Sequence, residues 1–154
     1  MAENLALEER WVVAIQLLQD MIRRIVKAVE QRYGEEGKDV ATGPIYDMGR
    51  EVATKLVDKL GLSGQEPIDY AILHQYQDTN FWALKEEVIE GECGEVTIRA
   101  SYCPVKDIFT PKDCGIFRPY VKGMFSVVNP NLRWKASKLL TRGEDCCEFV
   151  ITKE

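Results

Sequence analysis

Five cysteines hold most of the reactive potential of this 154-residue chain: Cys93, Cys103, Cys114, Cys146 and Cys147. A thiol serves as a nucleophile or a metal ligand only once it is deprotonated, and that requires a nearby cation, helix N-terminus or metal. The chain has one histidine, His74, the side chain whose ordinary pKa lies near neutrality. It is the one imidazole able to pair with a thiol. Glu86, Glu87, Asp107 and Asp145 are the carboxylate alternatives for acid–base work. Zinc sites usually show cysteine pairs two to four residues apart, and no such pair occurs here. No metal or other cofactor is therefore expected. Three cysteines with His74, drawn from distant segments, are the lesser alternative. Gly91-Glu92-Cys93-Gly94 precedes a strand rather than a helix, so it does not form a phosphate loop. A Gly-x-Ser-x-Gly elbow is also absent from the sequence. Against every one of these roles stands the ordinary use of free cysteine as a small buried hydrophobe.

The elements that would position these groups follow from periodicity. Trp11, Ile15, Leu18, Ile22, Ile25 and Val29 recur three and four residues apart, with Tyr33 beyond them. The spacing predicts a helix that Gly34 stops. Its stripe faces the core, with a homodimer seam as the sharper reading. A second helix is predicted from a Thr42 cap to Leu60, and a third from Ile68 to Asp78 after Pro67. From Trp82 onward the period changes to two. Residues 82–90 and the alternating Val96, Ile98, Ala100 and Tyr102 read as a hairpin. Lys85-Glu86-Glu87 reads as a solvated strand edge. Residues 105–128 look mainly helical, broken by Pro111, Gly115 and Pro119. After the Asn129-Pro130-Asn131 turn, Leu132, Trp134 and Ala136 begin another strand, and Asp145–Ile151 form the last.

This order predicts an α+β fold. N-terminal helices lead into an antiparallel sheet of about four strands, built from two hairpins separated by a helical segment. One domain is expected over 1–154, with 1–80 mainly helical and 81–154 strand-rich and bearing the cysteine motifs. If the hairpins are neighbours, Cys103, Cys114 and Cys147 converge at one sheet end. Alternation from Phe149 and Ile151 turns Cys147 and Asp145 inward and Cys146 outward.

The net charge is −5, and no basic stripe is visible, which excludes nucleic acid as the expected partner. No apolar run approaches the length of a bilayer span. Met1-Ala2-Glu3-Asn4 lacks a secretory layout, so a cytoplasmic protein with reduced thiols and no membrane partner is expected.

Tyr102-Cys103-Pro104-Val105-Lys106-Asp107, then Cys114, then Asn129-Pro130, then the run from Leu139 to Phe149 containing Gly143-Glu144-Asp145-Cys146-Cys147, resembles the L-2-amino-thiazoline-4-carboxylic acid hydrolase family. Glu144 is a mild departure from the family pattern. The family is similar in its terminal motif to vinyl-reductase-type domains, which are α+β small-molecule binders, commonly dimeric. The resemblance implies hydrolysis of a cyclic C–N bond, and its motif positions carry over to Cys103, Asp107, Cys114, Asn129, Asp145 and Cys147. Roles are expected as follows. Cys147 or Cys103 is the nucleophile or a substrate-shaping thiol, and Asp145 or Asp107 the acid–base group, with His74 behind them. Cys114, Tyr102, Asn129 and Trp82 contact a small-molecule ligand. The alternative is a non-catalytic ligand or metal sensor.

Overall fold

The computed structural model describes residues 5–154, so the reading of Met1–Asn4 lies outside the described residues. Helix α1 runs Leu7–Leu60, with Gly34 at φ 71° and ψ −159° inside it. That conformation is cheap only for glycine, and it turns the axis without adding a loop. The expected stop at Gly34 is therefore a kink, and helix resumes at once. Thr42 is not a cap: it lies within the helix, buried, with its Oγ1 donating to the Lys38 carbonyl at 3.0 Å. The predicted stripe divides. Ile15 and Val26 are buried, and Ile22 packs against the core. Leu18 and Ile25 stay exposed beside Leu17 and Met21.

Helix α2 spans Pro67–Phe81. Proline at its first position is preorganised for a helix start. Asp69 secures that start, its Oδ2 accepting from the backbone N–H groups of Gln65 and Glu66 at 3.1 Å each. Strands β1 (Lys85–Glu90) and β2 (Val96–Tyr102) form the first hairpin. The short helix α3 (Pro111–Cys114) leads through a single 3₁₀ turn into α4 (Arg118–Val128). Strands β3 (Leu132–Lys138) and β4 (Cys147–Lys153) form the second hairpin. The fold is α+β: one antiparallel sheet in the order β1-β2-β4-β3, the two hairpins joined along β2 and β4.

One sheet face carries Val96, Ile98 and Ile151, buried with Tyr70 and Leu73 of α2 and with Met124 and Phe125 of α4. The opposite face is polar. There Arg99 bridges Glu87 at 3.0 Å and Glu148 at 3.2 Å. Helices α1 and α4 cross at near backbone contact, Gly49 lying over the Tyr120 carbonyl and Gly123 over that of Tyr46. Among the described residues no helix is long and apolar enough to cross a membrane.

Candidate functional site

Antiparallel pairing of β2 with β4 brings the end of one beside the start of the other, and Ala100 pairs with Cys147. Cys103 follows β2 by one residue, so both thiols reach the same sheet end. Thr110 and Asp113 cap α3 reciprocally. Asp113 is also bound by Lys27 of α1 at 3.1 Å, which fixes Cys114 nearby. The Cys147 Sγ accepts from the Leu140 N–H at 3.3 Å, and Cys114 Sγ lies 3.5 Å from Thr141 Oγ1. Cys103, Cys114 and Cys147 line one cavity of about 780 Å³. Burial is the main influence on all three. It pushes the Cys103 thiol up to about 12 and that of Cys147 up to about 11, and it raises Cys114 as well. These groups are neutral thiols at physiological pH.

The cavity floor is ionisable in a different way. His74 and Asp78 stand four apart on α2, hence on one helix face, and both line the cavity. At the end of α2 the chain reverses through Trp82 and Ala83, the latter at φ 56°. Two hydrogen bonds tie the returning strand back: the Leu84 N–H donates to the Asp78 carbonyl at 3.0 Å, and Gln75 Nε2 to the Glu86 carbonyl at 3.0 Å. A register shift between Lys85 and Glu86 re-aims the strand, as bulges do, and the Glu86 side chain points inward at 0% exposure. The charge run expected as a solvated edge thus contributes one buried carboxylate. His74 Nδ1 lies 3.3 Å from Glu86 Oε2 and 3.7 Å from Asp78 Oδ2. Gln77 Nε2 donates to Asp78 Oδ1 at 2.9 Å, and the Tyr120 hydroxyl donates to Gln77 Oε1 at 2.6 Å.

Burial pulls the His74 imidazole down, but Asp78 and Glu86 together outweigh it and raise the ring. Burial raises Asp78; the His74 charge opposes that shift and Glu86 adds to it. The walls are mostly apolar: Trp82, Phe109, Phe117, Phe125, Trp134 and Phe149 among others. Arg118, Lys122 and Arg142 also border the cavity.

The structure brings Cys103, Cys114, Cys147, His74 and Trp82 to this cavity, Trp82 standing edge-on to Tyr120. It does not bring four others. Asp145 precedes β4 in a bend, so strand alternation does not reach it. Its side chain is 80% exposed and pairs with Lys138 at 3.3 Å. Asp107 is exposed in the turn after Cys103. Tyr102 lies under the Lys85 ammonium, 5.8 Å from its ring centroid. Asn129 is buried but holds a turn, donating to the Gln65 carbonyl at 2.8 Å and accepting from the Asn131 N–H at 2.9 Å. Cys146 is buried as well, contrary to alternation, although it does not border the cavity. Cys93 is exposed. Asp78 escaped the sequence reading as a site residue. The i,i+4 spacing from His74 was its available signal.

An uncharacterised protein of Archaeoglobus fulgidus is 28% identical in a 140-residue alignment that covers 82% of this chain and 62% of that protein. The chain therefore spans somewhat under two thirds of that relative. Among solved structures, a trafficking protein particle complex subunit 3 from Naegleria fowleri, covalently bound to palmitic acid, shares the fold. Its TM-score is 0.63 at 20% identity, over 92% of this chain and 96% of that one. An H-NOX protein from S. oneidensis in the Fe(II)NO state superposes more loosely. Its TM-score is 0.49 at 12% identity, over 86% of this chain and 74% of that one. The model of the L-2-amino-thiazoline-4-carboxylic acid hydrolase family matches residues 15–151, and the chain belongs to that family.

Proposed function

We propose that this protein hydrolyses the ring C–N bond of a small cyclic amidine of the 2-amino-thiazoline-4-carboxylate kind in the cavity described above. The observation that carries this reading is the buried His74–Asp78–Glu86 cluster, two members of which, His74 and Asp78, open onto a mostly apolar cavity. Water adds to the amidine carbon, giving a tetrahedral carbon bonded to oxygen, sulfur and two nitrogens. The ring C–N bond then breaks, leaving a carbonyl on the sulfur side and a free amine on the other. One carboxylate of the cluster takes a proton from water as it adds and delivers it to the ring nitrogen, then carries the remaining hydroxyl proton to that nitrogen as the C–N bond breaks, so the step consumes one water and needs no oxidant or reductant. Arg118, Lys122 and Arg142 make no ion pair among the described residues and give a substrate carboxylate its counter-charge. The neutral thiols of Cys103, Cys114 and Cys147 shape the pocket with soft, weakly polar contacts.

The experiment is turnover of L-2-amino-thiazoline-4-carboxylate by the purified chain, following release of the primary amine. Amine release faster than the buffer reaction is the expected result. No release by folded protein, with or without added divalent metal, removes this substrate.

We also infer a homodimer, with a second copy seated on the exposed face of α1. Leu17, Leu18, Met21 and Ile25 keep the three-and-four spacing of a helix–helix seam. They are 67%, 40%, 53% and 55% exposed in that order, and large apolar side chains grouped on one exposed face mark interaction sites. The expected result is a dimer in light scattering that Leu17→Lys with Met21→Lys converts to monomer. A monomeric parent protein would refute it.

A further inference from the structure

The spacing within the buried cluster matches that of a metal's ligand shell. With metal–ligand bonds of about 2.0–2.2 Å, adjacent donors in a tetrahedral shell lie about 3.4 Å apart. His74 Nδ1 is 3.3 Å from Glu86 Oε2 and 3.7 Å from Asp78 Oδ2, and one donor atom of each residue lies within 4.8 Å of the other two. Donors this close need only draw together to meet a single ion. A helix supplies two donors four apart on one face, and a strand supplies the third.

A second observation is independent of this spacing. Glu86 Oε1 is buried without a hydrogen-bond partner, and its side chain has no exposure. An orphaned carboxylate oxygen in such a place is costly unless a cation answers it. Two carboxylates and one imidazole are a donor set suited to a first-row divalent ion such as zinc, manganese or iron. The cysteines are a poorer set: they are separate from this cluster and protonated.

We infer that His74, Asp78 and Glu86 bind one divalent transition-metal ion, with a remaining coordination position turned toward the cavity for water or substrate. His74 and Asp78 both border the cavity, which places that position where the amidine carbon would lie. Binding stands on the geometry alone; its catalytic use, lowering the pKa of a bound water, rests on the hydrolase reading.

The test uses the full chain, stripped with chelator and titrated separately with Zn²⁺ by calorimetry and Co²⁺ by visible absorption. One ion per chain is expected, with Co²⁺ d–d bands and no thiolate charge-transfer band. Even second-sphere changes cost metal sites about 10–100-fold in affinity, so Glu86→Gln is expected to weaken binding at least that much. The triple Cys103→Ser, Cys114→Ser, Cys147→Ser variant should bind like the parent. If Glu86→Gln does not fold, the parent stoichiometry and the cysteine variant still decide. Failure of the parent to bind either ion overturns the site, as does loss of binding in the cysteine variant. A bound ion without turnover upholds the site and removes the hydrolase reading. Turnover by metal-free protein in chelator upholds the hydrolase and overturns the metal's catalytic use.

Discussion

Replacing Asp78 by asparagine is expected to lower turnover of the thiazoline carboxylate by about 100-fold or more, whereas Cys103→Ala and Cys147→Ala each stay within about tenfold of the parent. The contrast follows from where the ionisable groups sit. Asp78 lines the cavity with His74, and the buried Glu86 carboxylate lies directly behind them. Asparagine keeps its shape and can still accept the bond from Gln77 Nε2, so the loss is chemical rather than structural. The two thiols border the same cavity, but burial holds them near 12 and 11. A thiolate nucleophile would make the rate climb about tenfold per pH unit toward those values. Attack assisted by the cluster changes only while the raised Asp78 and His74 groups titrate, below the thiol range, and has no limb climbing on toward 11 and 12. The measurement is kcat at saturating substrate for each folded variant, with a parent profile extended to pH 10 or so. A collapse in Cys147→Ala equal to that in Asp78→Asn, together with a rising alkaline limb, would make Cys147 the nucleophile instead.

What the sequence revealed of this site, and what it hid, depends on how local each signal is. The alternation of Val96, Ile98 and Ala100 marks β2, and antiparallel pairing then puts Cys103 and Cys147 at one end. Both facts can be read from short windows. Asp145 reads as inward only if alternation continues past the start of β4, but the strand begins at Cys147 and Asp145 lies in the bend before it. The α1 stripe was correctly periodic. Periodicity cannot say that Ile15 and Val26 are buried while Leu18 and Ile25, on the adjoining face, stay exposed. Glu86 was the hardest to place. Its inward aim depends on the register shift between Lys85, opposite Tyr102, and Glu86, opposite Ala100, in a hairpin that must form first. Its neighbour His74 stands out as the one histidine, and Asp78 lies one helical turn beyond it.

Gly123→Ala is expected to destabilise the protein by about 2 kcal/mol or more, because overpacking typically costs about 1–3 kcal/mol and here the obstacle is backbone. A Cβ at Gly123 would lie 2.1 Å from the Tyr46 carbonyl oxygen, and one at Gly49 would lie 2.1 Å from that of Tyr120. No rotamer change relieves either clash, so α1 and α4 must separate. Gly43 supplies the contrast within α1: a Cβ there meets nothing within 4 Å. Gly43→Ala should therefore be close to neutral, since the helix-propensity gain of up to about 1 kcal/mol is offset by crowding of the new Cβ against the following Pro44. In thermal melts, a protein of this size should lose about 4–8 °C in Gly123→Ala, and Gly43→Ala should lose none. Separating α4 has a second effect, because it carries Tyr120, whose hydroxyl holds Gln77 and through it Asp78. Gly123→Ala should thus lower kcat as well, even at temperatures where it remains folded. A melt unchanged in Gly123→Ala would mean that the two helices do not cross at contact distance, and the anchoring of Asp78 through Tyr120 would fall with it.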